Sequence, residues 1–261
     1  MSITLPPYPT GRNLLAEQTV VITAAAGTGI GFATAKRCLE EGASIIISDI
    51  HERRLGEAAE RLAPLNNGTP PPTVLCDVRN EAQVQALMDA AIDTFGRIDV
   101  LINNAGLGGT AQLVDMTDEQ WARVLDITLT GTMRCMRAAL RHMIPAGGGA
   151  IVNNASVLGW RAQSGQSHYA AAKAGVMALT RCVAVEVARQ NVRINAVAPS
   201  LAMHPYLVKV TTQELLDQLT EREAFGRAAE PWEVANVILF LASDLSSYMT
   251  GEILSVSSQR A

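Results

Sequence analysis

Lysine is scarce in this chain: 3 of its 21 basic residues are lysine and 18 are arginine, against 25 acidic residues and a net charge of −4. No basic block occurs, so the electrostatic footprint of a nucleic-acid-binding protein is missing. Cysteine is also rare. The four stand at positions 38, 76, 135 and 182 with no C-x-x-C among them. That spacing supports neither a metal site nor a disulfide framework, and it fits free thiols in a cytoplasmic protein. No apolar run approaches the 18 or more residues of a membrane span. The opening residues Met1–Pro9 carry no basic region and no apolar stretch, so no secretory leader is expected.

What is present is apolar. Hydrophobic residues make up 48% of the 261 residues and charged residues 18%, which excludes a disordered chain. A chain of this length buries roughly 70% of its unfolded surface, enough for one core with helices on both faces of a sheet. Residues 1–18 read as an N-terminal arm and residues 19–261 as one domain.

From Thr19 on, short apolar runs alternate with helical stretches. The runs are Thr19–Thr23, Ser44–Ser48, Thr73–Cys76, Val100–Asn103, Ala150–Asn154, Arg193–Val197 and Ile253–Val256. Helical composition fills Phe32–Glu41, Arg53–Ala63, Asn80–Phe95, Asp118–Met143, Tyr169–Arg189 and Pro231–Ala242. The runs are continuously apolar, so both faces of the sheet are expected to be covered. The expected fold is therefore α/β: a doubly wound, seven-stranded parallel sheet of Rossmann type. Such a sheet places a ligand crevice at the carboxyl ends of its strands. Only Ser200–Phe225 fits nothing regular, and it reads as a substrate loop.

The first run ends in a glycine-rich turn, with Gly27, Thr28, Gly29, Ile30 and Gly31 leading into a helix. Glycines let backbone N–H groups approach a pyrophosphate, and the helix N-terminus adds partial positive charge. Asp49 ends the second run, 20 residues beyond Gly29. A carboxylate there suits the two ribose hydroxyls and repels a 2′-phosphate, which favours NAD over NADP. The plainer role for Asp49 is a helix N-cap, and His51, Arg53 and Arg54 nearby soften the preference.

Tyr169 and Lys173 stand i, i+4 on one helix face, and Ser156 ends the fifth run. An ammonium about 5 Å from a phenolate, at an effective dielectric of about 20, contributes roughly 3 kcal/mol. On that arithmetic Lys173 brings the phenol of Tyr169 toward working pH, where acid–base transfer is most effective. A serine hydroxyl can hold the substrate oxygen as charge develops.

With these pieces the chain resembles the short-chain dehydrogenase/reductase family from about Leu15 to the C-terminus. Further matching pieces are Cys76-Asp77-Val78, Asn103-Asn104-Ala105-Gly106, Asn195-Ala-Val-Ala-Pro199, and Phe240-Leu-Ala-Ser-Asp244 with Thr250-Gly251. The resemblance implies a nicotinamide cofactor and a homotetramer. It implies Tyr169 as the acid–base, Lys173 on the nicotinamide ribose, and Ser156 on the substrate oxygen. It also places Asp77 and Val78 beside the adenine, with Asn104, Ala105, Gly106 and Pro199 along the rest of the cofactor. No metal is implied.

The chain departs from the family pattern in several places. Ala25 stands where the first turn glycine is usual, and it is strained if that position needs a positive φ. Asp126 stands where an Asn commonly joins the catalytic group. Ser200 replaces a Gly, His204 displaces a Thr, and Ser257-Ser258 replaces Gly-Gly.

The stretches around Trp160-Arg161, Gln166-Ser-His168 and Tyr248–Ala261 are similar to a narrow subgroup that works in bacterial steroid breakdown. Those enzymes act on a ring hydroxyl of a hydroxy-methyl-oxo-indene carboxyl-CoA, a small-molecule CoA thioester. Trp160 then reads as a wall for fused rings, Arg161 or Lys209 as a partner for a carboxylate or CoA phosphate, and His168 and His204 as substrate-side residues. The competing readings are a 3-oxoacyl-thioester reductase, which Asp49 opposes, and a binding-only redox sensor, which the retained Ser156, Tyr169 and Lys173 oppose.

Overall fold

Seven strands pair side by side and all in parallel, in the order β3-β2-β1-β4-β5-β6-β7, in a computed structural model that describes residues 5–203 and 212–259. They are β1 (Thr19–Ile22), β2 (Ser44–Asp49), β3 (Thr73–Leu75), β4 (Val100–Asn103), β5 (Gly149–Asn154), β6 (Val192–Pro199) and β7 (Ile253–Val256). Valine and isoleucine dominate them because both faces are buried. Val20 and Ile22 pack into one core and Val21 into the other; Ile45 and Ile47 divide from Ile46 in the same way. The two-residue period of a strand thus distributes its side chains between two cores. Burying each such side chain contributes about 1.5–3 kcal/mol.

One face carries α1 (Ile30–Glu40), α2 (Glu52–Leu62) and the helix Pro231–Ala242. The other carries α3 (Glu81–Phe95), α5 (Gly131–Met143) and α6 (Ser167–Val187), with α4 (Asp118–Leu125) leading into α5. Local chemistry explains their limits. Leu55, Ala58, Ala59 and Leu62 form the buried stripe of α2. Asn80 caps α3 by accepting from Ala82 and Gln83 N–H groups, and Gly96 ends it at φ 77°. Thr117 and Gln120 close a reciprocal capping box on α4.

Two expectations change. The helix expected over Asp118–Met143 is interrupted by a π turn at Asp126–Thr130. The segment Ser200–Phe225 holds a helix, α7 (Gln213–Glu221), and Leu216 is its buried anchor. Pro231–Ala242 is therefore α8. The N-terminal arm reaches α1 from Tyr8 on, where the phenol donates to Glu40 at 2.8 Å. Leu15 is buried, and the Glu41 carboxylate accepts from the N–H groups of Arg12 and Leu14 while pairing with buried Arg37. Among the described residues no helix is long and apolar enough to cross a membrane.

Candidate active site

Strand order reverses between β1 and β4, so the loops leaving their carboxyl ends diverge and open a crevice. The turn after β1 enters it. Gly27 has φ 103°, a conformation that excludes most side chains. The strained alanine is Ala24 (φ 52°), one residue before the position expected; Ala25 is fully buried and donates to the Ser48 carbonyl. Thr28 is exposed at the tip, and Ile30 packs on the core.

Gly29 caps α1 without any side-chain hydrogen bond, and the first turn has no acidic residue. Its N–H groups and partial positive charge are therefore left for an anion. A Cβ on Gly31 would fall 2.4 Å from the Ala24 carbonyl oxygen and 2.5 Å from Asn104 Nδ2. The turn and helix touch there with no space to spare. Gly31→Ala is expected to lower Tm by several degrees and raise the dinucleotide Kd at least about tenfold, read by thermal melts and titration. Wild-type values for both would show that the close approach is dispensable.

Asp49 ends β2 and is 9% exposed. Its carboxylate accepts from Ala26 N–H at 3.2 Å and His51 N–H at 3.0 Å. It caps no helix, because α2 starts after His51 without a side-chain cap. Burial raises its pKa, and the backbone N–H groups of Ala26 and Ile50 and the nearby Arg54 oppose the rise. Asp77 is held by Arg79 at 2.6 Å, which keeps its carboxyl below the ordinary range. Val78 turns into the core against Gly131.

Ser156, Tyr169 and Lys173 come together at the end of β5 and the start of α6. The Ser156 hydroxyl accepts from Leu158 N–H at 3.2 Å and stands close enough to the Tyr169 phenol to favour its charged form. Lys173 is 3% exposed, donates to the Asn154 carbonyl, and has its Nζ 5.6 Å from the Tyr169 ring centre. The electrostatics differ from the expectation. Burial raises the Tyr169 pKa, opposed by the Ser156 hydroxyl, while burial pushes Lys173 down to about 8. Desolvation disfavours both charged forms and here outweighs the attraction of ammonium for phenolate.

Asp126 does not join this group. It faces outward at the π turn and pairs with Arg134 at 2.8 Å. The widened turn instead carries Thr128 inward, fully buried. Its Oγ1 accepts from Leu107 N–H at 3.0 Å and donates to the Leu107 carbonyl at 3.2 Å. Thr128 and Lys173 both border Gly106, where a Cβ would lie 3.7 Å from Thr128 Oγ1 and 3.3 Å from Nζ.

Of the other candidates, Ala105 N–H donates to Thr23 Oγ1, and Pro199 ends β6 opposite Val256. Trp160 is half exposed on the turn after Ser156, and Arg161 donates to Gln259. His168 is 2% exposed against Gly109, and its Nδ1 has no partner among the described residues. His204 and Lys209 lie outside the described residues.

A family model described as enoyl-(acyl carrier protein) reductase matches residues 24–258. A solved short-chain dehydrogenase from Mycobacterium smegmatis superposes with TM-score 0.87 at 57% identity, over 99% of each chain. The chain belongs to the short-chain dehydrogenase/reductase family. It is accordingly an oxidoreductase that works at a hydroxyl or ketone with a nicotinamide cofactor. One relative, from Mycobacterium tuberculosis, is 63% identical over 95% of both chains. It is a (5R,7aS)-5-hydroxy-7a-methyl-1-oxo-2,3,5,6,7,7a-hexahydro-1H-indene-carboxyl-CoA reductase. Another is the cis-4-hydroxycyclohexanecarboxylate dehydrogenase of Sinomonas cyclohexanicum, 44% identical over 92% of this chain and 95% of that one.

Within this dehydrogenase fold, Asn154 and Thr128 were not singled out from sequence. Asn154 Nδ2 donates to Asn104 Oδ1 at 2.9 Å, and Asn104 Nδ2 donates to the Ala24 carbonyl at 2.9 Å. With Lys173 on the Asn154 carbonyl, a hydrogen-bonded chain runs from the glycine-rich turn to the lysine. A second polar residue at the end of an apolar strand, Asn153-Asn154, was the available signal for Asn154. Thr128 had none, because only the π turn brings it inward.

Proposed function

We propose that this chain interconverts a ring hydroxyl and a ketone on a bicyclic hydroxy-methyl-oxo-indene carboxyl-CoA of steroid degradation, using NAD(H). The dehydrogenase chemistry rests on one observation: a half-buried Tyr169 beside Ser156, one helical turn from buried Lys173 and next to a turn that fits a dinucleotide. The substrate reading rests on the Mycobacterium tuberculosis relative.

The bound nicotinamide supplies or accepts the hydride. Ser156 and Tyr169 hold the substrate oxygen between two hydroxyls, and Tyr169 moves the proton at that oxygen. Its raised pKa keeps the phenol protonated near neutrality, which suits proton donation to a ketone. Reduction uses the phenol and oxidation the phenolate, so oxidation is expected to speed up as pH rises. Lys173 and the Asn154–Asn104 chain orient the ribose side, with Gly106 leaving the space. Asp77 and Val78 serve the adenine end, and Ala105 and Pro199 the central stretch. Trp160 and His168 wall the substrate side.

Asp49 supports NAD over NADP. Its carboxylate is anchored by two backbone N–H groups and stands where a 2′-phosphate would bring like charge against it. Asp49→Ala should raise kcat/KM for NADP⁺ about 100-fold and lower it for NAD⁺ about tenfold, as read in initial rates. An unchanged ratio would remove Asp49 from cofactor choice. The buried thiols Cys38, Cys76 and Cys135 support a reducing, cytoplasmic setting, and the family supports a homotetramer.

The deciding experiment compares a hydroxy-indanone carboxyl-CoA with 3-hydroxybutyryl-CoA, each with NAD⁺ and NADP⁺. Turnover of the bicyclic thioester alone, with NAD⁺, is expected. Turnover of the short linear thioester with NADP⁺ would make the chain a general 3-oxoacyl-thioester reductase.

A further inference from the structure

A cavity of about 320 Å³ opens beside the catalytic serine, between the turn after β5, the end of α7 and the C-terminal tail. It begins at Leu158, whose N–H donates to Ser156 Oγ. Leu158 and Leu219 give it apolar walls, and Arg161 and Arg222 stand in its lining. Neither arginine makes an ion pair among the described residues. Glu221 is the one acidic residue in the lining, and it is solvent exposed.

The cavity is built by specific bonds. The Gln259 carboxamide accepts from the Arg161 guanidinium, tying the tail to the turn after Ser156. Glu223, 4% exposed, accepts from Ser258 N–H at 3.2 Å, Ser258 Oγ at 2.8 Å and Leu201 N–H at 3.4 Å. Ala224 N–H donates to the Ser258 carbonyl at 2.7 Å. A buried carboxylate thus holds the tail and the end of α7 in one arrangement, and in that arrangement Arg222 and Arg161 line the same cavity. The serine pair of the tail finds its use here, because Ser258 supplies two of the donors to Glu223.

We propose that this cavity seats the phosphorylated carrier arm of the substrate, with Arg161 and Arg222 holding a phosphate group at its mouth. The inference rests on the thioester reading above and adds the part of the molecule that reads the carrier. Two guanidinium groups and a single exposed carboxylate in the lining leave net positive charge, and the guanidinium fork matches phosphate oxygens. The apolar walls between this charge and Ser156 suit the uncharged stretch of the arm. A carboxylate on the ring system, as in the Sinomonas relative's substrate, would sit close to the reacting carbon instead.

Arg222 is the residue to change, because it stands outside the reacting group, its side chain is exposed, and its hydrogen bond to the Leu219 carbonyl comes from the backbone N–H, which a substitution keeps. KM and kcat are measured for the bicyclic CoA thioester, for its N-acetylcysteamine thioester, which has no phosphate, and for the free acid. Arg222→Glu is expected to raise KM for the CoA thioester at least about tenfold, with kcat within twofold. KM for the two phosphate-free substrates and for NADH should stay at wild-type values, and Arg222→Lys should restore most of the loss. An unchanged KM for the CoA thioester, or an equal rise for all three substrates, would overturn the proposal.

Free CoA gives a readout that needs no turnover. It should raise the Tm of wild-type protein and not that of Arg222→Glu. If no bicyclic thioester is turned over, the substrate reading fails by itself. In that case a CoA-dependent Tm rise that Arg222→Glu abolishes keeps the phosphate site, and no rise in wild type removes it.

Discussion

Tyr169→Phe lowers kcat about 10³–10⁴-fold and leaves dinucleotide affinity within a factor of two. The substitution removes one oxygen. That oxygen is the group able to give or take a proton beside the Ser156 hydroxyl. Little else depends on it: Ser156 Oγ keeps the N–H of Leu158, and the aromatic ring keeps its contact with Gly108. Fold and cofactor crevice should therefore survive, and the whole effect should fall on the chemical step. Single-turnover kinetics and NADH fluorescence titration separate the two quantities. Turnover within tenfold of wild type would take Tyr169 out of the mechanism. An equal loss of NADH affinity would make it a binding residue.

Lys173→Met abolishes turnover and stabilises the protein at pH 7. Lys173 is buried, and its pKa falls to about 8 from an ordinary value of 10.5. The unfolded chain therefore binds a proton between pH 8 and 10.5 that the folded chain does not, so wild-type stability rises with pH across that window. Below pH 8 the folded protein carries the full cost of a desolvated ammonium, up to about 3 kcal/mol. Replacing the amine by a thioether of similar length removes that cost and leaves the Asn154 carbonyl without this donor, a loss of about 1–2 kcal/mol. The net gain of about 1–2 kcal/mol at pH 7 corresponds to a Tm higher by about 2–8 °C. The gain should shrink above pH 8, reach zero between about pH 9 and 10, and turn into a loss of about 1–2 kcal/mol well above pH 10.5, where only the missing hydrogen bond counts. Melting curves at pH 7 and pH 10 test this directly. A variant less stable than wild type at pH 7, or a difference that ignores pH, would show that burial of Lys173 is not strained. Stability spent on a buried charge is the usual mark of a working site.

Both results follow from how one helix is seated. The spacing of Tyr169 and Lys173 needs only a helix to put them on one face. How deeply that face is buried depends on β5, β6 and the loop after β4 closing around it. The expectation that Lys173 lowers the Tyr169 pKa came from a pairwise Coulomb argument with a surface-like dielectric. The folded chain adds desolvation, which acts on both groups and reverses the sign for Tyr169.

Asp126 and Thr128 show the same division. Read as an unbroken helix, Asp118–Met143 made Asp126 a candidate for the catalytic group. The π turn at Asp126–Thr130 inserts backbone into that helix, sends Asp126 out to Arg134 and draws Thr128 in beside Gly106. No periodicity in the sequence marks that turn. A tertiary contact accompanies it: just after the turn, Gly131 meets Val78 where a Cβ would fall 2.6 Å from Val78 Cγ2. The alanine turn is similar. Ala24-Ala25-Ala26 announced an irregular loop, but only the bond from Asn104 to the Ala24 carbonyl shows which alanine takes the positive φ.

Sequence by itself determined the alternation of strands and helices, the parallel sheet, the glycine-rich turn, Asp49 at the end of β2, and the serine, tyrosine and lysine of the candidate site. These are properties of short segments, and a local pattern carries them because backbone geometry has fixed periods. Tertiary structure alone decided which residue of the π turn faces the site, how Asn154 and Asn104 join the turn to Lys173, which way burial moves the two pKa values, and that Arg161 and Arg222 share a cavity. Each of these depends on chain segments far apart in sequence meeting in space. Burial and hydrogen-bond partners exist only once those segments have packed.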